Sequence, residues 1–203
     1  MIKLYDFPLS GHAHRVRLML SLLHLEYETV HVKLDQDEHL DKAYKKINPF
    51  QQVPVLDDNG FIIRDSVAIL CYLANEYGPQ WYAEDSKSIA RIQEWLAIAT
   101  KEIAAAPARA RLVNVFGAKL DHKTLITQSH KLLNTINKHL ENRQWLALDK
   151  VSIADIAAYT YIAHAPEGDV SLLPYHHINS WLTRIEKLPG FIAMDKSSIK
   201  QAG

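Results

Sequence analysis

Apolar and polar residues alternate with a period of two from Ile2 to Asp6, with Ile2 and Leu4 on one side and Lys3 and Tyr5 on the other, which predicts a first β-strand. Phe7-Pro8-Leu9-Ser10-Gly11 interrupts it. From about His12 to His24, the residues Ala13, Val16, Leu18, Met19, Leu20, Leu22 and Leu23 recur at helical spacing. Tyr27 to Leu34 returns to period two, with Tyr27, Thr29 and His31 on one face and Val30 and Val32 on the other. Residues 35–46 are polar and read as a loop carrying a loosely packed helix. Val53 to Leu56 is a short apolar strand, Asp58-Asn59-Gly60 a hairpin turn, and Phe61-Ile62-Ile63 the return strand. Asp65 or Ser66 then caps a helix whose apolar stripe is Val67, Ile69, Leu70 and Leu73.

This β-α-β-α-β-β-α order predicts a thioredoxin-like layer over residues 1–77, with helices on both sides of a small mixed sheet. Gly78-Pro79 ends it, and 78–86 reads as a linker. Residues 87–203 show helical periodicity alone, so the expected class is α/β followed by an all-helical C-terminal domain. Ile89, Ile92, Leu96, Ala99, Ile103, Ala106, Ala110 and Val113 predict one long helix kinked at Pro107. Leu125, Leu132, Leu133, Ile136 and Leu140 mark the next. Ser152-Ile153-Ala154-Asp155 is close to a capping box opening Ile156–Ala163, with Val151 and Ile156 placed as a staple. Two shorter helices are expected at about Ile178–Lys187 and Gly190–Lys196.

Composition narrows the function. The 23 basic and 23 acidic residues cancel, which argues against nucleic acid or an anionic membrane as a partner. No apolar run approaches a membrane span. Met1 leads straight into a strand without a signal-peptide pattern. Cys71 is the single cysteine; it forbids an internal disulfide, fits a reducing cytoplasm, and falls on the apolar side of its helix as a packing thiol.

The candidate chemistry gathers at residues 48–73. Pro54 at the start of a strand donates no ladder hydrogen bond, so Val53 keeps its N–H and C=O for an extended ligand, and the Val53-Pro54 bond is a candidate for the cis form. Asp65-Ser66 offers a carboxylate, a hydroxyl and the free N–H groups of a helix start. Those groups suit the ammonium and carboxylate ends of an α-amino acid.

The string N-P-F-x-Q-V-P-V-L…(D/E)-S-x-A-I-x-x-Y-L, read from Asn48 to Leu73, resembles the glutathione-binding half of the glutathione S-transferase family. Ser152-Ile153-Ala154-Asp155 is similar to the segment that opens the central helix of that family's second domain. Ser10-Gly11-His12-Ala13-His14-Arg15-Val16 is similar to the serine-type members, where a serine precedes an Arg-Val pair by five residues. The resemblance implies that Ser10 donates a hydrogen bond to the glutathione sulfur and favours its thiolate. Tyr5 and His12 are rival thiol activators. It also implies that His39 and Gln52 meet the glycine end of glutathione. Val53 pairs its backbone with the cysteinyl unit, and Asp65 and Ser66 hold the γ-glutamyl end. Glutathione is then a co-substrate and no cofactor is expected; a hydrophobic electrophile is the second substrate, and a homodimer is expected. Departures are Leu148 and Gln51 where glycine is common, Leu40 where lysine is frequent, and Asp65 for a usual glutamate.

Three activities fit this pattern: conjugation of glutathione to a hydrophobic electrophile, glutathione-dependent reduction or isomerisation, and non-catalytic binding on the same fold. Mixed-disulfide chemistry wants a cysteine at position 10, which is serine. Ser10 lacks the G-x-S-x-G elbow of a hydrolase. His12-x-His14 and His176-His177 lack a completing acid or cysteine, so no metal is expected. Trp95, Arg109, Val113 and Phe116 are candidates for an electrophile pocket, with core or dimer contact the plainer role for most of them.

Overall fold

A computed structural model describes residues 1–197 of the chain. Strands β1 (Ile2–Asp6), β2 (Tyr27–His31), β3 (Val55–Asp58) and β4 (Phe61–Arg64) form one sheet in the order β2-β1-β3-β4. β1 runs parallel to β2 and antiparallel to β3, and β3 is antiparallel to β4. The period-two pattern sorts the two faces. Ile2 and Leu4 join the main core with Val16, Met19 and Leu20 of α1 (Gly11–Leu22) and Ile69, Leu70 and Leu73 of α3 (Ser66–Tyr77). Tyr5 and Val55 face the other way, into a small cluster with Val32 and Tyr44 of α2 (Lys42–Ile47). The layer is thioredoxin-like, with helices on both sides. The hairpin turns at Asn59 and Gly60, both at positive φ (51° and 94°), which a two-residue turn of the primed type requires.

The second half is helical: α4 (Ser86–Ile98), α5 (Pro107–Phe116), α6 (His122–His139), α7 (Ile153–Ala163) and α8 (His176–Glu186). α7 is buried along nearly its whole length and packs against both α1 and α4. Gly11 makes the first of these contacts possible, since a Cβ there would lie 2.6 Å from the Tyr161 ring.

Four expectations need correction. β2 stops at His31; after Val32 donates to the Asp6 carbonyl (2.8 Å) the chain turns into short 3-10 turns at Leu34–Gln36 and Glu38–Leu40. β3 begins at Val55 rather than Val53, because Pro54 has no N–H for the ladder; the Val53-Pro54 bond is cis. The long helix from Ile89 is two helices. A π-turn at Ala99–Ile103 follows α4, the backbone breaks at Ala106 (φ −114°, ψ −83°), and Pro107 starts α5 at a position where no N–H is needed. No helix forms at 190–196: the Gly190 carbonyl accepts from the Ser21 hydroxyl (2.7 Å) and the Ile192 carbonyl from His14 Nε2 (3.0 Å), so α1 takes the carbonyls a helix would have used.

Candidate active site

A cavity of about 1150 Å³ opens between the sheet layer and the helical half. The turn after β1 delivers Ser10 to it. The Ser10 N–H donates to the Phe7 carbonyl (2.9 Å), and its Oγ accepts the Ala13 N–H (3.2 Å) as the N-cap of α1. No acceptor among the described residues takes the hydroxyl proton, which leaves it for a ligand in the cavity that Ser10 lines. The first turn of α1 holds no acid, so its free N–H groups and dipole present an unopposed positive end.

The start of α3 forms a second polar corner. Asp65 sits at φ 74° and accepts the Val67 and Ala68 N–H groups through Oδ1 (2.8 and 3.1 Å), so Oδ2 takes no part in the cap. Ser66 is buried beneath it, and its Oγ accepts from Arg15 Nη1 and faces His12 Nδ1, each at 3.3 Å. Arg15 is fully buried, its guanidinium 5.6 Å from the centroid of the Tyr161 ring. Burial, assisted by the Arg15 charge, lowers the His12 pKa to about 3, so this imidazole is neutral at ordinary pH. It packs edge-on against Tyr161 at 5.1 Å.

Between these corners runs the 50–54 edge. Tyr44 and Asn48 donate to the Gln52 carbonyl (2.8 and 2.7 Å), which fixes the strand approach. Among the described residues the Val53 N–H and C=O carry no hydrogen bond. Gln51 adopts φ 55°, a left-handed conformation that glycine adopts without strain. His39 lies on the 3-10 turn across the cavity, its Nδ1 buried and without a protein partner among the described residues. The opposite wall comes from the helical half: Ala104, Ala108, Arg111, Leu112, Val115 and Phe116, with Tyr161 of α7 at the base.

Family models for the glutathione S-transferase N-terminal domain and C-terminal domain match residues 1–75 and 66–189. The chain belongs to the glutathione S-transferase family. Glutathione S-transferase theta-1 of Mus musculus is 28% identical over 202 residues, covering 94% of this chain and 84% of the mouse protein. Glutathione S-transferase Z1 of Arabidopsis thaliana is 45% identical over 76 residues, 37% of this chain and 34% of the plant protein. The crystal structure of a glutathione S-transferase from Pseudomonas fluorescens superposes with a TM-score of 0.90 at 28% identity, covering 95% of this chain and 98% of the other.

Within this transferase fold the cavity brings together Ser10, His39, Gln52, Val53, Asp65 and Ser66, which lie far apart in sequence. Of the rival thiol activators, His12 lines the cavity, whereas Tyr5 packs edge-on against Tyr44 on the other face of the sheet, outside the lining. Of the four electrophile-pocket candidates, Phe116 alone lines the cavity. Trp95 is core, its ring 4.8 Å from that of His139 and tilted 55° to it; Val113 packs against the core; and Arg109 is exposed. Arg111, two residues on and facing inward, is the arginine the sequence reading missed, as it missed Tyr161 in its uniformly apolar helix. Two residues apart on an α-helix, Arg109 and Arg111 point to nearly opposite faces, and the break at Ala106 decides which of the two faces inward. Cys71 is half-buried outside the cavity lining, and burial raises its thiol pKa. Among the described residues no cluster of three or more metal-ligating side chains occurs, and no helix is long and apolar enough to cross a membrane.

Proposed function

We propose that this protein is a glutathione transferase that conjugates the glutathione thiolate to hydrophobic electrophiles, acting in the cytoplasm as a homodimer. The observation that carries the reading is the Ser10 hydroxyl: itself the N-cap, accepting the Ala13 N–H with its own proton untaken among the described residues, at an acid-free helix start inside the cavity. Glutathione lies along the Val53 edge with its γ-glutamyl end at Asp65 and Ser66 and its glycine end toward Gln52 and His39. That pose puts the sulfur at Ser10.

A cysteine-like thiol titrates near ~8.5, and lowering it by about two units takes about 2.7 kcal/mol. One hydrogen bond to a charged group supplies about 1.5–3 kcal/mol, and a helix N-terminus about 0.3–1 kcal/mol. Ser10 and α1 therefore cover the requirement without a metal or a second base. Phe116, Leu112 and Val115 give the acceptor an apolar wall. Reduction through a mixed disulfide is disfavoured, because Cys71 is not at the cavity. The homodimer rests on the family resemblance, and light scattering reads its mass directly.

The test is Ser10→Ala assayed with several electrophiles alongside glutathione calorimetry. Turnover falls while glutathione affinity holds. A parent protein that binds glutathione but turns over no electrophile would be a binding module instead.

A further inference from the structure

The turn that delivers Ser10 is held at three successive carbonyls. The Phe7 carbonyl accepts the Ser10 N–H (2.9 Å) and lies 3.5 Å from Arg17 Nη1. The Pro8 carbonyl accepts from Arg17 Nη2 (2.8 Å), and the Leu9 carbonyl from Arg111 Nη1 (2.9 Å). Each arginine is anchored by its own buried carboxylate. Arg17 donates to both Asp6 oxygens (2.6 and 2.7 Å), and Arg111 Nε donates to Glu167 Oε2. Asp6 and Glu167 are only 2% and 3% exposed. Glu167 also accepts the Ser197 N–H (2.8 Å) and faces His164 Nδ1 (3.4 Å). Burial raises this carboxyl, but the Ser197 N–H and the Arg111 guanidinium outweigh it and hold its pKa below the ordinary value, so it stays an anion under the arginine.

Arg17 stands on α1 and Arg111 on α5, so both halves of the chain bond to one turn. We infer that Arg17 and Arg111 are positioning residues for thiol activation: by fixing the Pro8 and Leu9 carbonyls they set the direction in which the Ser10 hydroxyl donates. This rests on the role proposed above for Ser10. Hydrogen bonds weaken steeply with angle and distance, and a strand-to-helix turn has no ladder of its own to hold its carbonyls in place. The planar guanidinium can meet a carboxylate and a carbonyl at once from different nitrogens; an ammonium cannot reproduce that fork.

The experiment compares the full-length parent with Arg111→Lys, Arg17→Lys and the double variant Arg111→Met/Glu167→Leu. The readouts are the ultraviolet absorption of the bound glutathione thiolate against pH and the pH profile of kcat/KM. The thiol pKa rises by about one unit in each, about ten-fold less thiolate below that pKa. The glutathione KM stays within about two-fold, since the Val53 and Asp65–Ser66 contacts are untouched. The double variant releases Leu9 without leaving a lone buried charge, so it keeps the test open where a single variant fails to fold. In a Ser10→Ala background, Arg111→Lys adds no further rise, because the hydroxyl it aims is gone. A lowered melting temperature with an unchanged thiol pKa in the folded variants overturns the inference. Ser10→Ala separates the two levels: an unmoved thiol pKa there sinks the reading of Ser10 itself, whereas a raised one alongside silent arginine variants sinks the clamp alone.

Discussion

Ser10 and Ser152 cap their helices through the same kind of bond, in opposite surroundings. Ser152 is fully buried at the start of α7, and Asp155 at the third helical position returns a bond to the Ser152 N–H (3.0 Å). Asp155 also accepts from the Leu146 N–H and Trp181 Nε1, both at 2.9 Å. At α1 the third helical position is Ala13, so no carboxylate answers the cap and the helix start keeps its positive end. A cap stabilises when it is buried and reciprocated. It becomes available for chemistry when the reciprocating acid is missing and a cavity lies outside.

The strongest way to break this comparison is at the buried end. Asp155→Ala removes the acceptor of four buried donors, the Leu146 and Ser152 N–H groups, the Ser152 hydroxyl and Trp181 Nε1, so unfolding free energy from urea titration falls by about 3 kcal/mol or more. Activity per folded molecule holds; an activity loss that outruns the unfolded fraction would contradict a purely structural cap. The reverse pattern is expected at Ser10. Ser10→Ala lowers kcat/KM by about 10- to 100-fold, the worth of one hydrogen bond to a charge, and costs only about 1 kcal/mol of stability as a lost cap. Equal losses at Ser10 and Ser152 by both measures would erase the distinction. Gly11→Ala probes the seam between the two helices: its Cβ meets the Tyr161 ring at 2.6 Å, so overpacking costs about 1–3 kcal/mol in the melting or urea curve.

The neighbourhoods of the two caps also titrate in opposite senses. Burial lowers His12 and His14 to about 3, so the unfolded chain takes up their protons first and stability falls as pH drops below ~6.5. Burial raises Asp155 to about 6, so the folded state binds its proton first and gains relative stability as pH falls from about 6 toward ~3.9. Two histidines against one aspartate leave a net loss of about 1.4 kcal/mol per pH unit over that window. Urea midpoints at pH 6, 5 and 4 test the sign, and a flat or rising series overturns it.

Much of this was legible in the residues. The Asn59-Gly60 turn, the Ser152–Asp155 box, the Ser10 cap position and the Asp65–Ser66 helix start are local signals, and local signals survive in sequence because each is satisfied within a few residues. Arg111 was not legible. Its partners are Leu9 and Glu167, 102 and 56 residues away, and its inward direction depends on where Ala106 breaks the helix. The helix expected at 190–196 failed for the same kind of reason, since side chains on α1 took its carbonyls.

The sequence by itself determined which segments are strands and helices in the first layer, where the caps and turns lie, and that an edge, a hydroxyl and an acid–serine pair occur at fixed separations. Only the tertiary structure decided that these meet at one cavity, that Tyr5 is turned away from it while His12 is held neutral beside it, and that arginines from both halves grip the Ser10 turn. The division is physical. Caps, turns and periodicity are settled by neighbours along the chain, whereas the direction of a hydroxyl and the charge state of a buried group depend on atoms that only the folded packing brings near.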